Sequence, residues 1–314
     1  MTRVAALDHV FPSLDPERGV LEPLGIELVD GGGLGEEEAL RLGAEADGLL
    51  VGARLRLTRD RLDALPACRV IVRYGMGVDS IDLEAAHEHG IAVGFVPDYC
   101  VEEVANHAIA LLLALHRLVP SLDARIRAGD WGLPRGASIP RLSECTLGLV
   151  GAGRIGLAVA ARAAALGMTA LVFDPAYDPS TGPWEAASDL DELIARADAI
   201  SLHLPLLPAT RGIVSAERIE AMKPGALLVN VSRGGLVDER ALVAALESGR
   251  LAGAGIDTPE HEPLPADDPL RGAPNLLLTP HAAWFSDGAR EELQASAARE
   301  AGRFLTGRPL RHRA

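Results

Sequence analysis

Short apolar segments alternate with amphipathic segments along nearly the whole chain. The runs at 4–7 and 69–73 predict buried strands, because strands covered on both faces carry few polar residues. Segments 36–46 and 82–89 instead repeat apolar residues at helical spacing. Strands that alternate with helices in this way are typical of α/β proteins with largely parallel sheets.

The alternation resumes in the second half of the chain after an interruption. Residues 101–118 predict a long apolar helix, in which Asn106 and His107 are polar, and residues 119–145 predict irregular structure, with prolines or glycine at Pro120, Pro134, Gly136 and Pro140. Later predicted strands are 147–150, 169–173, 199–204, 226–231, 251–256 and 276–278. Later predicted helices are 190–197, 210–222, 238–248 and 287–305.

Three glycines stand between the predicted strand 147–150 and the helix that follows it. Gly151 permits the tight turn, Gly153 lets the backbone approach a pyrophosphate, and Gly156 lets helix and strand pack closely. The N–H groups at the start of the helix favour phosphate charge. Asp174 ends the next strand, where a carboxylate accepts hydrogen bonds from the adenosine ribose and repels a 2′-phosphate. The segment therefore predicts a site for NAD rather than NADP.

Composition narrows the class of protein. A length of 314 residues predicts about two domains, and the net charge of −14 argues against a nucleic-acid partner. Cys68, Cys100 and Cys145 lie far apart without metal-ligand spacing, which predicts reduced thiols, a cytoplasmic location and no metal site. The first residues lack a signal-peptide pattern and the longest apolar run, 108–115, is too short to cross a bilayer, so no membrane partner is predicted.

Four polar residues and one proline lie within three residues of the ends of predicted strands, namely Asp174, Pro205, Arg233, Asp257 and His281. Ligands of open α/β sheets bind outside these strand ends. Arg233 can hold a carboxylate through two hydrogen bonds and polarise a neighbouring carbonyl. His281 can exchange a proton near neutral pH.

Two assignments stay open at the level of residue spacing. His203 also lies near a strand end and is the main rival of His281 as the acid and base. Either Glu260 or Glu262 can hold the imidazole of His281, and spacing does not choose between them. Each of these residues also has a plain structural alternative, such as capping a helix or facing solvent.

The motifs together resemble those of the D-isomer-specific 2-hydroxyacid dehydrogenases. The matching segments are GAGRIG with Asp174, MKPGALLVNVSRGGLVDERALVAAL, GAGIDTPEHEPLP and NLLLTPHAAW, in the order and spacing of that family. Within the family, VRYGMGVDSID and HAAWFS are most similar to the C-terminal binding protein branch and its bacterial relatives. The resemblance covers essentially the whole chain.

The resemblance implies two α/β domains, Rossmann-like and flavodoxin-like, with parallel sheets and an active site in the cleft between them. Residues 1–98 and 286–314 would form the substrate domain, and residues 99–285 the NAD-binding domain. It implies reduction of a 2-oxoacid by NADH, with Arg233 binding the substrate, His281 as acid and base, and Glu262 as the partner of His281.

The resemblance also implies the residues that line the ligands. Those near the cofactor would be Met76, Gly151, Gly153, Arg154, Ile155, Gly156, Asp174, His203, Leu204, Pro205, Thr210, Val231, Ser232, Arg233, Asp257 and His281. Those near the substrate would be Arg73, Tyr74, Gly75, Met76, Gly77, Arg233, His281 and Trp284, although a tryptophan is often buried for bulk alone.

Two other functions and one assembly are compatible with this resemblance. An NAD(H)-sensing interaction protein of the C-terminal binding protein type would bind NADH and a protein partner. A dehydrogenase of another small oxyanion, such as phosphite, would keep the same Arg233, Glu262 and His281. A homodimer is expected, with the apolar helix 101–118 either in that interface or in the core.

Overall fold

A computed structural model of the chain describes residues 1–133, 139–180 and 182–314. The chain divides into two compact units. Unit 1 consists of Met1–Tyr99 and Phe285–Ala314, and unit 2 consists of Cys100–Trp284. Each unit is built on its own parallel sheet.

The described part of unit 1 contains a sheet of five parallel strands in the order β2-β1-β3-β4-β5. This is the strand order of flavodoxin-like proteins. The strands are β1 Arg3–Leu7, β2 Glu27–Gly31, β3 Gly48–Val51, β4 Val70–Arg73 and β5 Ala92–Gly94. The first helices are α1 Asp15–Leu21, α2 Glu36–Ala44, α3 Arg59–Asp63 and α4 Leu83–Glu88. Every residue of β3 and β4 is buried, as expected for strands covered on both faces.

The described part of unit 2 contains a sheet of seven parallel strands in the order β12-β11-β10-β9-β6-β7-β8. The strands are β6 Thr146–Val150, β7 Thr169–Phe173, β8 Glu185–Ala186, β9 Ala199–Leu202, β10 Ala226–Asn230, β11 Leu251–Ile256 and β12 Leu276–Leu278. The helices are α5 Val101–His116, α6 Val119–Arg127, α7 Arg154–Ala165, α8 Leu190–Arg196, α9 Ala216–Ala221 and α10 Glu239–Glu247. From β6 the sheet continues to β7 and β8 on one side and to β9, β10, β11 and β12 on the other. Open sheets bind their ligands at such a point, where the order of the strands changes direction.

The last helix, α11 Asp287–Leu305, belongs to unit 1. It packs against α1, β3 and β4 and buries a stripe of small and apolar residues that includes Leu293 and Ala297. Ser286 caps its first turn by accepting the N–H of Ala289 at 3.0 Å. The bounds of α11 agree with the predicted helix.

Two stretches differ from the sequence-based prediction. The predicted irregular region 119–145 begins with a helix, α6. Pro120 does not prevent this helix, because it lies in the first turn, where the missing N–H would have no partner within the helix. Pro134 and Gly136 of that region lie outside the described residues. The predicted helix 210–222 is helical only over α9, and Gly212 before it has a left-handed φ of 61°.

Two kinds of feature are absent from the residues that the structure describes. No helix there is both long and apolar enough to cross a membrane. In the same ranges, no group of three or more His, Cys, Asp or Glu side chains is arranged to hold a metal ion.

Candidate active site

The glycine turn between β6 and α7 is shaped by close packing at its two ends. A Cβ atom on Gly151, whose φ is 102°, would lie 2.3 Å from the carbonyl oxygen of His203. A Cβ atom on Gly156 would lie 2.1 Å from the carbonyl oxygen of Gly151. A Cβ atom on Gly153 would meet no described atom within 4 Å. Packing of the chain therefore requires the outer glycines, whereas Gly153 borders open space at the start of α7, as a pyrophosphate site needs.

Asp174 lies beside this turn because β6 and β7 pair in register up to Val150 and Phe173. Its Oδ2 accepts the N–H of Ala152 at 2.7 Å, and its Oδ1 accepts the N–H of Ala176 at 2.8 Å. The carboxylate is thus held at the strand end while remaining half-exposed. This arrangement fits a ribose hydroxyl and disfavours a 2′-phosphate.

His203, the rival acid and base, follows β9 and is poorly placed for proton donation. Its Nε2 lies 2.8 Å from the Ser201 hydroxyl. Burial lowers the pKa of the His203 imidazole to about 3. The ring is therefore neutral near neutral pH and carries no extra proton to give. Its assignment to the cofactor site stays a prediction.

The loop after His203 is closed by Thr210. The Thr210 hydroxyl donates to the carbonyl of Pro205 at 2.6 Å and accepts the N–H of Leu207 at 2.8 Å. These bonds fix the course of the loop that includes Leu204 and Pro205. Contacts of these residues with a cofactor stay predictions, as do those of Arg154 and Ile155 in the first turn of α7.

Arg233 stands on a turn that a buried asparagine organises. Asn230 ends β10, accepts the N–H of Ser232 at 3.0 Å and donates its amide to the carbonyl of Arg233 at 2.8 Å. The Ser232 hydroxyl donates to the carbonyl of Leu202 at 2.7 Å, which ties the turn to β9. Asn230 thus organises the turn that carries Arg233, and an amide that closes the otherwise apolar run before Val231 is a usable signal of it in the sequence.

The turn that carries Arg233 contacts the loop that carries Glu262. A Cβ atom on Gly234 would lie 2.2 Å from the backbone nitrogen of Glu260, so the two backbones touch there. The Arg233 guanidinium is half-buried and donates from Nη1 to the carbonyl of Ser232 at 2.7 Å. Because β10 and β11 are neighbours, Arg233 and the residues that follow β11 share one edge of the sheet.

His281 follows β12 on a turn that Asp257 organises. Asp257 is fully buried, and its Oδ1 accepts the N–H of Ala282 at 2.8 Å while its Oδ2 accepts the N–H of Ala283 at 3.0 Å. Its main-chain carbonyl accepts the N–H of His281 at 2.8 Å. His281 itself has a left-handed φ of 54°, a conformation that only a well-held turn keeps in a non-glycine residue. Contact of Asp257 with the nicotinamide stays a prediction.

Glu262, not Glu260, lies against the imidazole of His281. The His281 Nδ1 is 2.9 Å from Glu262 Oε2 and 3.1 Å from Oε1. Glu260 instead pairs with Arg211 at 3.3 Å. With Nδ1 engaged by the carboxylate, Nε2 is the atom of His281 that can carry a transferable proton. The structure thus resolves the choice that residue spacing left open.

In unit 1, the turn after β4 carries the other residues assigned to substrate. Gly75 is buried with a φ of 126°, Met76 is exposed and Gly77 is partly exposed. Arg73 is buried below the turn and donates to the carbonyl of Tyr74. Substrate contacts of these residues, and of half-buried Trp284 in unit 2, stay predictions.

Tyr74 is also assigned to the substrate, and its side chain is engaged inside unit 1, so its substrate contact stays a prediction. Its hydroxyl is buried and donates to Glu17 at 2.7 Å, and its N–H donates to the carbonyl of Val51 at 2.9 Å. Burial raises the pKa of the Tyr74 hydroxyl well above its ordinary value. The polar groups of Tyr74 are therefore used inside unit 1, where they anchor the turn.

Comparison with known proteins shows the family of the chain. Residues 109–283 match the family model described as the NAD-binding domain of D-isomer-specific 2-hydroxyacid dehydrogenases. The chain is 40% identical over 293 residues to D-3-phosphoglycerate dehydrogenase of Methanocaldococcus jannaschii, covering 92% of this chain and 55% of that protein. The chain thus spans about half the length of such curated relatives.

Solved structures match the chain over its whole length. A protein from Thermus thermophilus has a TM-score of 0.89 and 38% identity, with 100% of both chains covered. A D-lactate dehydrogenase with NAD+ from Lactobacillus jensenii has a TM-score of 0.81 and 29% identity, covering 100% of this chain and 99% of that one.

Proposed function

Because the chain belongs to the D-isomer-specific 2-hydroxyacid dehydrogenases, we propose that it catalyses the NAD-dependent interconversion of a small 2-oxoacid and its D-2-hydroxyacid. The observation that carries the proposal is the pairing of His281 with Glu262 on the sheet edge that also carries Arg233. The place of the chain in the C-terminal binding protein branch stays a prediction.

The residues of unit 2 fit NAD. The open space at Gly153 and the N–H groups at the start of α7 would receive the pyrophosphate, and Asp174 would accept the ribose hydroxyls. When bound, this cofactor supplies the hydride that reduces C2 of the oxoacid. The remaining tasks, which are binding the acid and moving a proton, fall to side chains of the protein.

Arg233 would bind the substrate. A planar guanidinium matches a carboxylate through two parallel hydrogen bonds and can also polarise the adjacent carbonyl. The Asn230 bonds fix the main chain of the turn, and the bond from Arg233 Nη1 to the carbonyl of Ser232 orients the guanidinium. The positive charge of Arg233, already in position before the reaction, would stabilise the carbonyl oxygen of the substrate as that oxygen becomes negative.

His281 would donate the proton. Protonated His281 keeps Nδ1–H on Glu262 and offers Nε2–H to the carbonyl oxygen of the substrate. The Glu262 carboxylate stabilises the imidazolium and fixes the plane of its ring. In the direction of oxidation the neutral imidazole takes the hydroxyl proton back. Substrate contacts of Arg73, Tyr74, Gly75, Met76, Gly77 and Trp284 form part of the same proposal.

A substrate panel tests this function. Purified protein would be mixed with NADH and with pyruvate, branched and aromatic 2-oxoacids, and 3-phosphohydroxypyruvate, the last because a relative is named D-3-phosphoglycerate dehydrogenase. NADH oxidation with formation of the D product alone is expected. Tight NADH binding without consumption of any 2-oxoacid would contradict the proposal and favour an NAD(H)-sensing protein.

We also propose a homodimer in the cytoplasm. Exposed apolar side chains concentrate in one stretch of unit 2, at Val119, Ile126, Trp131 and Leu133, and a second copy would cover them. Cys68 and Cys145 are free and buried, which supports a reducing compartment. Light scattering should give twice the monomer mass, and Ile126→Glu should lower it. A monomeric unmodified protein would contradict the dimer.

A further inference from the structure

A histidine on α5 lies at the outer end of a hydrogen-bond relay that reaches the turn of His281. The His107 Nε2 is 3.0 Å from the Thr279 hydroxyl oxygen. The Thr279 hydroxyl is 2.5 Å from Asp257 Oδ1, and His107 Nε2 is itself 3.7 Å from that oxygen. These three residues belong to unit 2 and come from α5, from the turn after β12 and from the end of β11.

The packing of α5 on β11 explains why His107 reaches this position. A Cβ atom on Gly253 would lie 2.9 Å from Leu115, and a Cβ atom on Gly255 would lie 3.0 Å from Leu111. The two glycines thus let the helix approach the strand closely, with opposite chain directions. His107 lies one helical turn before Leu111 in α5, and Asp257 lies two residues after Gly255 of the strand. Four helical residues and two strand residues both advance about 6 Å, so the two side chains meet.

The direction of each hydrogen bond follows from the groups available. Asp257 is a buried carboxylate and accepts, so the Thr279 hydroxyl donates its proton to Oδ1. The oxygen of Thr279 then has only lone pairs for His107, which must donate from Nε2–H. A leucine at position 107 would remove this donor, whereas a glutamine would keep a donor at similar reach.

The relay ends at the residue proposed to move the proton. Asp257 holds the N–H groups of Ala282 and Ala283, and its main-chain carbonyl holds the N–H of His281. The left-handed backbone of His281 depends on these bonds. We propose that His107 is a positioning residue, which orients His281 through Thr279 and Asp257. This inference rests on the proposed function of His281.

The experiment compares four variants with the unmodified protein, using kcat, KM and the NMR signals of the His281 ring. His107→Leu and Thr279→Val each break one link of the relay. His107→Gln restores the donor. Asn106→Leu is the matched control, because Asn106 is the neighbouring polar residue of α5 and pairs with Arg162 at 2.7 Å. The His281 signals are assigned by their loss in His281→Gln.

Both broken links should lower kcat about tenfold with KM within about twofold, because Arg233 still binds the substrate. His107→Gln should stay within about threefold of the unmodified kcat, and Asn106→Leu within about twofold. The double variant His107→Leu/Thr279→Val should be no slower than Thr279→Val, since both changes break one path. The ring signals of His281 should move in His107→Leu and stay in place in His107→Gln.

Three results would overturn the proposal: full kcat in His107→Leu, a double variant slower by the product of the two single effects, or unmoved His281 signals in His107→Leu. The NMR comparison needs no turnover. An unmodified protein that reduces no 2-oxoacid would therefore refute the proposed function, while the His281 signals would still decide the relay. If His107→Leu lowers the melting temperature so far that the variant cannot be assayed, Thr279→Val still tests the relay.

Discussion

Glu262 holds the imidazole of His281 with 2.9 Å between Oε2 and Nδ1, while Glu260, two residues earlier, pairs with Arg211 instead. The two glutamates share one loop and similar exposure, so they differ chiefly in what their carboxylates touch. Glu260 can therefore serve as a control for substitutions of Glu262. Other residues of the candidate site can also be compared with a residue of the same type that lies nearby but outside the site.

His281→Gln should lower turnover about a hundredfold or more, because the amide cannot donate a proton as the imidazolium does. Binding of NADH, followed by fluorescence titration, should stay near normal, since the glycine turn and Asp174 are unchanged. His261→Gln is the control, because His261 is exposed in the same loop as Glu262. Near-normal turnover in His281→Gln would exclude His281 as the acid and base.

Glu262→Gln should lower kcat about tenfold or more, because a neutral amide stabilises the imidazolium less than a carboxylate does. Glu260→Gln should change kcat by less than about twofold, since an exposed ion pair with Arg211 contributes at most about 1 kcal/mol. Steady-state kinetics on both variants makes the comparison. Equal losses in the two variants would show that the loop, and not the contact with His281, matters.

Arg233→Lys should lower kcat/KM about a hundredfold, because an ammonium keeps the charge but loses the two parallel hydrogen bonds to a carboxylate. Arg211→Lys is the matched control, since Arg211 is an exposed arginine that forms its ion pair with Glu260. The measurement is kcat/KM for the best 2-oxoacid of the panel. Unchanged kcat/KM in Arg233→Lys would remove Arg233 from the substrate site.

Asp174→Asn should weaken the preference for NADH over NADPH about tenfold, because the repulsion of a 2′-phosphate is lost while a hydrogen-bond acceptor remains. Asp178→Asn is the control and should leave the preference unchanged. Asp178 lies in the same loop, but it is Asp174 that accepts the N–H of Ala152 in the glycine turn. Dissociation constants for both cofactors give the ratio directly. A ratio unaffected by Asp174→Asn would mean that another group selects NAD.

The sequence predicts the parts of this protein that depend on neighbours along the chain. The glycine turn, Asp174 and the bounds of α11 follow from local spacing, and the structure contains them where expected. The partner of His281 could not be predicted, because the choice between Glu260 and Glu262 depends on how a loop folds after β11. The pKa of His203 depends in the same way on burial, which residues distant in sequence produce.

Helix α6 shows a second limit of sequence reasoning. Pro120 favours irregular structure in the sequence, but it occupies the first turn of a helix, where proline is tolerated. The same applies to Pro16 at the start of α1, a helix that the sequence pattern does not predict. Asn230 escapes prediction because an amide can face solvent or organise a turn, and only its contacts with Ser232 and Arg233 distinguish the two.

Glu17 gives unit 1 a stability that depends on pH. Its carboxylate is buried between α1 and α11, where it accepts the Tyr74 hydroxyl at 2.7 Å and the Gln294 amide at 2.9 Å. Burial raises the pKa of Glu17 above its ordinary value of 4.5, despite these bonds. The folded protein therefore keeps this proton to a higher pH than the unfolded chain does.

The sign of the effect follows from this order of proton loss. Well below pH 4.5, the ordinary pKa of a glutamate, both states are protonated and the stabilisation is complete. As the pH rises from there through the pKa of the folded state, the unfolded chain loses its proton first and the folded state loses its advantage. The free energy of unfolding relative to Glu17→Gln, which has no such proton, should fall as the pH rises from about 4.5 through the raised pKa of Glu17, and should level off above that pKa.

Urea denaturation of the unmodified protein and Glu17→Gln across this range measures the difference. Asp15→Asn, an exposed change on the same helix, is the control for removing a surface carboxylate. A gap between the unmodified protein and Glu17→Gln that stays constant, or that grows in favour of the unmodified protein as the pH rises, would contradict the raised pKa of Glu17.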